Sequence, residues 1–205
     1  MKIYELTGYK SNQFYQQAND TFKIPNHNQN SLEPEFSRPN QLHKWNDYMI
    51  DHGFKFLGIG NYGSVYEHPT YPWVFKIFKD DPAFLYYVNY IKHNQHNPNV
   101  PKIKGNVIKI NDSTFVVRLE KLQPISNTFF IHNLAEPISI IRILKNRNIE
   151  DLDKEYQQIL AKFKKQYPGI FQIIYDMVKS NYRLDMGSRN MLMRNNTPIV
   201  TDPIG

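Results

Sequence analysis

The chain has 205 residues, a formal net charge of +6 and an apolar fraction of 40%, as expected for a packed globular protein. The absence of cysteine excludes disulfides, thiolate nucleophiles and cysteine-based zinc sites, and it fits a reducing compartment. Basic residues are scattered, with only short pairs such as Lys164-Lys165, so the charge predicts a solvated surface and no specific nucleic-acid site. No apolar run approaches the ~20 residues of a membrane-spanning helix, and no signal peptide is visible. We therefore expect a cytoplasmic protein without a membrane partner.

The chain divides into three consecutive stretches that differ in residue composition and hydrophobic pattern. Residues 1–45 are rich in Asn, Gln and Pro, which predicts an irregular polar segment. Residues 46–122 alternate apolar and polar side chains over short runs, which predicts five antiparallel strands and one helix that begins near Pro82. Residues 123–205 carry apolar side chains at helical spacing, with a small hairpin near the end. The expected fold class is α+β.

The predicted elements of the last stretch are three helices and one hairpin. Apolar residues recur every three or four positions in 137–144, 149–166 and 169–181. The hairpin pairs residues 191–193 with residues 199–200, on either side of a polar turn. A β-rich half followed by an α-rich half is the organisation that this pattern predicts.

Residues 58–65 form a glycine-rich loop with the pattern G-x-G-x-x-G, carried by Gly58, Gly60 and Gly63. Glycine lets backbone N–H groups approach a phosphate closely. The loop stands between two predicted strands, which argues against a dinucleotide-binding unit, where a helix would follow. It favours a hairpin that covers phosphate groups, and an ordinary structural hairpin is the alternative.

Lys76 stands inside a strongly apolar strand and shares one face with Val74 and Phe78. A lysine among apolar neighbours needs a partner, and a phosphate approached from the glycine loop would serve. A half-exposed position on the sheet surface is the alternative interpretation. Lys79 is a competing candidate, but it lies at the polar end of the strand and is expected to be solvated.

Asp185 and Asn190 lie five positions apart, between a predicted helix and the final hairpin. A carboxylate in such a loop can orient the proton of an attacking hydroxyl, and an amide oxygen can hold Mg²⁺. Asp202 follows a short apolar strand and provides a second candidate metal ligand, with an Asp-Pro turn as the alternative. The DxxxxN spacing alone carries little information.

Together, and in this order, these segments predict the ATP site of a phosphotransferase of the protein-kinase type, with a two-lobed fold. Asp185 and Lys76 are the expected catalytic residues, and Asn190 and Asp202 are the expected metal ligands. The residues expected to contact the nucleotide are Gly58, Gly60, Gly63, Val65, Lys76 and the hinge residues Glu120 and Leu122. Two features depart from the pattern: the helix after Lys76 contains no acidic residue, and the usual His-Arg before the catalytic aspartate is replaced by residues 183–184.

From residue 53 to residue 202 the chain also resembles the small protein kinases that short-tailed bacteriophages carry as early genes. The expected fold is protein-kinase-like and two-lobed, with a five-stranded antiparallel N-lobe sheet plus a helix. Because the relatives continue beyond the Asp-Pro motif, the mostly helical C-lobe is expected to be truncated. The resemblance implies Mg-ATP-dependent phosphorylation of serine and threonine on host proteins in the host cytoplasm, and autophosphorylation. The Asp-Pro ending and the weak helix glutamate are features of that family. The matching segments are 53–58, 66–69, 74–77, 97–103, 185–190 and 201–203.

Two other functions use the same residues. A small-molecule phosphotransferase would have a closed acceptor pocket in place of a peptide groove. A pseudokinase-like module would bind and inhibit a host protein without chemistry, but such a binder has no physical need for Lys76, Asp185, Asn190 and Asp202 together. The sequence implies no particular oligomeric state.

Overall fold

A computed structural model of the protein describes residues 42–110 and 113–205, so most of the predicted irregular segment lies outside the described residues. The described chain is a mixed α+β protein, which confirms the expected class. It divides into two compact units. Unit 1 comprises the described residues up to Asp81 together with Ile103–Lys121, and unit 2 comprises Pro82–Lys102 and Leu122–Gly205. The lobes predicted at 46–122 and 123–205 stay a prediction.

Unit 1 is built on one antiparallel sheet with the strand order β1-β2-β3-β5-β4. The five strands predicted from the alternation pattern are therefore confirmed, and all neighbouring pairs are antiparallel. A helix, α1, precedes the sheet and spans Leu42–Asp51. The elements are α1 (Leu42–Asp51), β1 (Lys55–Ile59), β2 (Gly63–Glu67), β3 (Trp73–Lys79), β4 (Ile108–Lys109) and β5 (Thr114–Glu120).

The core of unit 1 lies on one face of this sheet. Phe75 and Ile77 point to it from the central strand β3, and both are almost fully buried. The ring of Phe54 meets that of Phe75 edge-on, with 5.3 Å between centroids. The cluster is completed by Met49, Tyr66, Ile108 and Val116. Since side chains alternate along a strand, Val74, Lys76 and Phe78 occupy the opposite face, as the sequence predicts.

Unit 2 is mainly helical and ends in a three-stranded antiparallel sheet with the order β6-β7-β8. The predicted final hairpin is confirmed as β7 and β8, but the short strand β6 that pairs with β7 was not predicted. The elements are α2 (Pro82–His93), β6 (Gln123–Pro124), α3 (Asn127–Phe130), a π-helical turn (Ile131–Ala135), α4 (Glu136–Ile143), α5 (Lys154–Gln166), α6 (Pro168–Lys179), β7 (Met191–Arg194) and β8 (Thr197–Val200).

The first helical region of unit 2 begins ten positions earlier than predicted. The sequence pattern places its start at Pro137, because proline lacks the N–H that continues a helix. In the structure α3, the π-helical turn and α4 follow one another without a break, starting after Ser126, whose Oγ accepts a hydrogen bond from the Phe129 N–H at 3.1 Å. A π-helical turn changes the hydrogen-bond spacing and so allows proline just beyond it. The prediction was wrong at this N-terminus. It also began α5 five positions too early, because Ile149–Asp151 is a separate 3₁₀ turn, and it agrees with α6 to within two residues at each end.

Helix α2 is anchored in unit 2 through the hydroxyl groups of two tyrosines. Tyr87 is fully buried and donates a hydrogen bond to the carbonyl of Val200 at 2.6 Å. Tyr90 donates to the Asp176 carboxylate on α6 at 2.8 Å. Burial, with smaller effects of Tyr90 and Asp202, raises the pKa of Tyr87 well above its usual range. Burial and the bond to Asp176 also raise the pKa of Tyr90.

These pKa shifts predict a loss of stability in alkaline solution. The folded state holds both phenol protons more tightly than the unfolded chain, so their contribution is fully present below about pH 10 and declines as the pH rises further. Tyr87→Phe should lower the free energy of unfolding by about 1–2 kcal/mol at neutral pH, because a buried carbonyl loses its donor. It should also reduce the fall in the free energy of unfolding above pH 10. Urea denaturation of both proteins between pH 7 and pH 11 measures this, and parallel curves would contradict it.

Among the described residues, no helix combines the length and the apolar character needed to cross a membrane.

Candidate functional site

Lys76 lies in a transverse row of residues across the sheet of unit 1. It is directly opposite Val65 on β2 and Val117 on β5, and Gly58 on β1 is the partner of Val65. Directly opposed residues of antiparallel strands share a face. The row Gly58–Val65–Lys76–Val117, called here the Lys76 row, therefore lies on the face opposite the core cluster. It places one half-buried cation between two apolar side chains.

Lys79 lies on the opposite face of β3 from Lys76. Both lysine side chains are half-buried, so the expectation that Lys76 is the less exposed stays a prediction. Three positions separate the two residues, which places them on opposite faces of β3. Lys79 pairs with Thr114 at the end of the strand, and its backbone N–H donates to the carbonyl of Tyr62 at 2.7 Å. Its position is therefore at the rim of the sheet.

The three glycines of the loop between β1 and β2 have different surroundings. A Cβ added at Gly58 would meet no atom within 4 Å, and one at Gly60 would meet only the Gly63 carbonyl at 3.9 Å. At Gly63 the same atom would lie 2.6 Å from the carbonyl oxygen of Ile77. The first two glycines thus border open space, where a phosphate can approach the backbone. The third is required by the packing of β2 against β3.

This difference predicts unequal effects of adding one methyl group. Gly63→Ala should lower the free energy of unfolding by about 1–3 kcal/mol, because the new Cβ overlaps a backbone carbonyl that cannot move alone. Gly60→Ala, the matched control in the same loop, should change it by less than about 0.5 kcal/mol. Urea denaturation measures both values. Equal destabilisation by the two substitutions would show that the loop packs differently.

Asp185 and Asn190 are joined by a hydrogen bond within one tight loop of unit 2. The Asn190 Nδ2 group donates to the backbone carbonyl of Asp185 at 2.5 Å, and the Asn190 backbone N–H donates to the Gly187 carbonyl at 3.0 Å. Only the amide nitrogen can face a carbonyl oxygen at this distance, since two acceptors would repel each other. The Oδ1 atom of Asn190 therefore points away and is free to bind a cation.

The hairpin of β7 and β8 brings Asn190 beside Asp202. Asn190 immediately precedes β7, and Asp202 follows β8 by two positions. Met191 pairs with Val200, and the Thr201 N–H donates to the Asn190 carbonyl at 2.9 Å. Both candidate metal ligands thus lie at the same open end of the hairpin.

A second backbone pairing brings Asp185 to the same place. The Asp185 N–H donates to the Pro203 carbonyl at 2.8 Å, and Leu184 forms a bridge with Ile204. The segment before the loop therefore runs antiparallel to the segment after Asp202. Asp185, Asn190 and Asp202 are assembled by main-chain hydrogen bonds within unit 2, although 17 positions separate the first from the last.

The segment 97–100 fixes β8 from the other side. Asn99 donates from Nδ2 to the Pro198 carbonyl at 2.7 Å and accepts from the Val200 N–H at 2.9 Å. Asn97 donates from Nδ2 to the Gly169 carbonyl at 3.1 Å, at the start of α6. Both asparagines are buried. These contacts, made by residues of the matching segment 97–103, fix the strand that leads into Asp202.

Two arginines that the sequence interpretation did not assign contact the loop. The Arg142 Nη2 atom, on α4, donates to the backbone carbonyl of Met186 at 2.8 Å. The Arg189 Nη2 atom lies 3.1 Å from Oδ2 of Asp185. Arg142 supports the loop that a histidine supports in the usual kinase pattern. Because Arg142 is 44 positions away from Met186 in the sequence, no local pattern could have predicted this contact. The i, i+4 spacing of Asp185 and Arg189 was visible in the sequence.

The expected hinge residues Glu120 and Leu122 lie where the chain passes from unit 1 to unit 2. Strand β5 ends at Glu120, which pairs with Trp73. The intervening Lys121 contacts the carboxylate of Glu67, which also lies 3.3 Å from the Lys55 Nζ atom. The hydrogen bond from Lys121, supported by Lys55, lowers the pKa of Glu67. This ion-pair group links Lys121, just after β5, to the paired ends of β1 and β2.

The oxygen ligands of unit 2 suit a metal that binds together with a nucleotide. In the described ranges no group of three or more His, Asp and Glu side chains could hold a metal alone. Asn190 and Asp202 supply one amide and one carboxylate oxygen. Mg²⁺ is commonly held by one or two carboxylates together with waters and substrate phosphates, so this set fits Mg²⁺ in a nucleotide complex.

Comparison with known protein families identifies one match. The model of the family described as bacteriophage T7 protein kinase 0.7 matches residues 26–205. A search of curated proteins finds no significant match. The match includes the glycine loop, the Lys76 row and the loop of Asp185 and Asn190, and it confirms the resemblance to phage protein kinases. The chain therefore belongs to the bacteriophage T7 protein kinase 0.7 family.

Proposed function

We propose that the protein is a Mg-ATP-dependent protein kinase of two-lobed fold that phosphorylates serine and threonine side chains of host proteins in the host cytoplasm. The observation that carries the proposal is the assembly of Asp185, Asn190 and Asp202 by backbone pairing in unit 2. These side chains would supply a base, an amide ligand and a carboxylate ligand, which is the set of groups that kinases use for phosphoryl transfer. Membership in a protein kinase family supports the same reaction.

The Lys76 row supports nucleotide binding by unit 1. Lys76 would pair the α- and β-phosphates, and the open space at Gly58 and Gly60 leaves room for phosphate beside the backbone. Val65 and Val117 flank the lysine on the same face and offer apolar surface to the adenine ring. The backbone between Glu120 and Leu122 would read the edge of the base. These roles are those expected from the sequence.

Asp185 would act on the acceptor hydroxyl. Its carboxylate orients the hydroxyl and takes its proton as the acceptor oxygen bonds to the γ-phosphorus. The bond from the γ-phosphorus to the bridging oxygen breaks, and its electron pair leaves with ADP. Magnesium, held by Asn190 and Asp202, would supply charge stabilisation at the phosphate oxygens. The tight loop fixes Asp185 so that little reorganisation is needed.

Transfer of label from [γ-³²P]ATP tests this proposal. The protein is incubated with Mg²⁺ and labelled ATP, with and without a bacterial lysate, and Asp185→Asn serves as the background control. Label in lysate proteins, recovered as phosphoserine and phosphothreonine and absent with the variant, is the expected result. Label confined to small molecules would favour the alternative phosphotransferase. Nucleotide or lysate-protein binding without any transfer would favour the pseudokinase-like alternative.

A further inference from the structure

The carboxylate of Glu67 lies on the same face of the sheet as the Lys76 row. Glu67 is directly opposite Lys55 on β1 and Val74 on β3, and Val74 is directly opposite Leu119 on β5. Val74 and Lys76 are two positions apart on β3, so these two transverse rows share a face. The Glu67 carboxylate is therefore one row away from Lys76, on the side where β5 leads into the hinge.

The side chain of Lys121 joins the hinge to this second row. Strand β5 ends at Glu120, the last residue that pairs with β3, so the backbone of Lys121 lies beyond the ladder. The Lys121 Nζ atom contacts the carboxylate of Glu67 on β2. Because β3 lies between β2 and β5, the contact spans two strand spacings, about 10 Å. Two long side chains thus tie the hinge backbone to the far side of β3.

The exposure of the three charged side chains indicates what this contact does. The Glu67 side chain is 15% exposed, whereas those of Lys121 and Lys55 are 52% and 74% exposed. An ion pair with an exposed partner contributes little to stability, because water and salt screen the charges. The contact with Glu67 is therefore expected to affect the position of Lys121 more than the stability of unit 1.

The position of the hinge backbone matters because it would read the edge of the base. Adenine presents an amino donor beside an acceptor nitrogen, whereas guanine presents a carbonyl acceptor beside an N–H donor. Backbone groups that pair with the first pattern are left unpaired by the second, and unpaired polar groups are costly. Such discrimination requires that the backbone groups are held in place before the base binds.

We propose that the ion pair between Glu67 and Lys121 fixes the hinge and so makes nucleotide binding selective for adenine over guanine. This role rests on the proposed kinase function. Both are positioning residues, since the main chain between Glu120 and Leu122 reads the base. Lys55 shares the Glu67 carboxylate but belongs to β1, so it does not hold the hinge.

A simpler role for the ion pair would be to close the end of the sheet. The two roles differ in the ratio of the affinities for Mg-ADP and Mg-GDP. The phosphates and the metal ion are common to both ligands, so their contributions cancel in this ratio and the reading of the base remains. A contact that only closes the sheet would alter thermal unfolding, or both affinities by the same factor.

Calorimetry with Mg-ADP and Mg-GDP tests the proposal on Lys121→Ala, Glu67→Ala, the double variant and the matched control Lys55→Ala. The wild type should prefer Mg-ADP. Each single variant should lower this preference about tenfold, because a displaced hinge loses one or two hydrogen bonds to adenine. The double variant should resemble either single variant, since both remove the same contact. Lys121→Arg should retain the preference, and Lys55→Ala should stay within about twofold of the wild type.

Ionic strength and kinetics provide two further readouts. Raising the salt concentration from about 0.05 M to about 0.5 M should lower the preference of the wild type for Mg-ADP, because salt screens the exposed lysine. The same change should leave the preference of Lys121→Ala unaltered, since this variant has no pair to screen. Its KM for ATP should rise about tenfold with kcat within about twofold, as expected when binding of the base is weakened equally in the bound state and in the transition state.

The other outcomes would overturn the proposal in distinguishable ways. If the wild type prefers Mg-ADP and Lys121→Ala keeps that preference, the role of the ion pair is wrong and the kinase function stands. The same conclusion follows if the wild type transfers phosphate without any preference, or if Lys55→Ala loses as much as Lys121→Ala. If the wild type neither transfers phosphate nor binds Mg-ADP, the proposed function fails and this role fails with it. Thermal unfolding of each variant, expected to equal that of the wild type, excludes misfolding as the cause.

Discussion

Asp202→Ala is expected to reduce magnesium-dependent phosphotransfer by about 10³-fold, with little change in the free energy of unfolding. A metal ion contributes several kcal/mol of charge stabilisation in the transition state, and each 1.36 kcal/mol corresponds to about tenfold in rate. Asp202 supplies the only carboxylate assigned to that ion, and Asn190 alone provides a neutral oxygen. The backbone around Asp202 is held by Thr201 and Pro203 through main-chain hydrogen bonds, which the substitution leaves intact.

Two further variants distinguish the loss of a metal ligand from a general effect of removing a negative charge. Asp202→Asn keeps one oxygen ligand, so it should retain more activity than Asp202→Ala and require a higher Mg²⁺ concentration. Glu155→Ala removes an exposed carboxylate from the first turn of α5 and should behave like the wild type. The measurement is the initial rate of γ-phosphate transfer over a Mg²⁺ titration. Full activity of Asp202→Ala with an unchanged Mg²⁺ requirement would refute the assignment of the Asp-Pro motif.

The sheet of unit 1 could be predicted because its information is local. Strands β1, β2 and β3 follow one another through short turns, and the alternation of Phe75, Lys76 and Ile77 shows which side of β3 is buried. Registry then follows from the turns. The sequence is therefore sufficient to place Val65 and Lys76 on one face of β2 and β3. Gly58 joins them only because the pairing of β1 with β2 is irregular between Phe56 and Gly58, which the alternation pattern does not show.

The contacts that fix the loop of unit 2 could not be predicted, because they join distant parts of the chain. Arg142 lies 44 positions before Met186, and Asn99 lies 99 positions before Pro198. No periodicity signals such pairs. Strand β6 contains only two residues, one of them proline, so it carries no strand pattern and is defined only by its pairing with β7. Tertiary packing decides these elements.

The missing acidic residue of α2 has a physical reason in the structure. In the usual kinase pattern a glutamate of this helix holds the phosphate-pairing lysine. Here α2 groups with unit 2 and buries apolar residues along its length. The hydroxyl groups of its tyrosines have other roles. Tyr87 donates a hydrogen bond to the Val200 carbonyl, and Tyr90 donates one to the Asp176 carboxylate. The helix thus fixes the strand that precedes Asp202. It contains no carboxylate that could pair with Lys76.

Lys76→Ala is expected to lower phosphotransfer by roughly 10²-fold or more, and Lys79→Ala is expected to change it little. A cation that orients the α- and β-phosphates determines whether the γ-phosphorus lies in line with the acceptor, and small misplacements are costly in rate. Lys76 is suited to this because it shares a face with Gly58 and Val65, whereas Lys79 faces the other side at the rim of the sheet. The two lysines have the same charge and length and are both half-buried, which makes Lys79 a matched control.

The measurement for both lysines is the rate of γ-phosphate transfer together with the affinity for Mg-ADP. Lys76→Ala should weaken nucleotide affinity and lower kcat, because in the proposed role the ammonium group would contact phosphates both in the bound state and in the transition state. Lys79→Ala should leave both quantities within about twofold of the wild type, and its thermal unfolding reports any damage to the sheet. Equal losses in the two variants would mean that the face of β3 does not decide which lysine meets the phosphates. A large loss for Lys79→Ala alone would indicate that the nucleotide binds at the rim of the sheet. There the end of β3 lies beside the glycine loop, because the Lys79 N–H donates to the Tyr62 carbonyl.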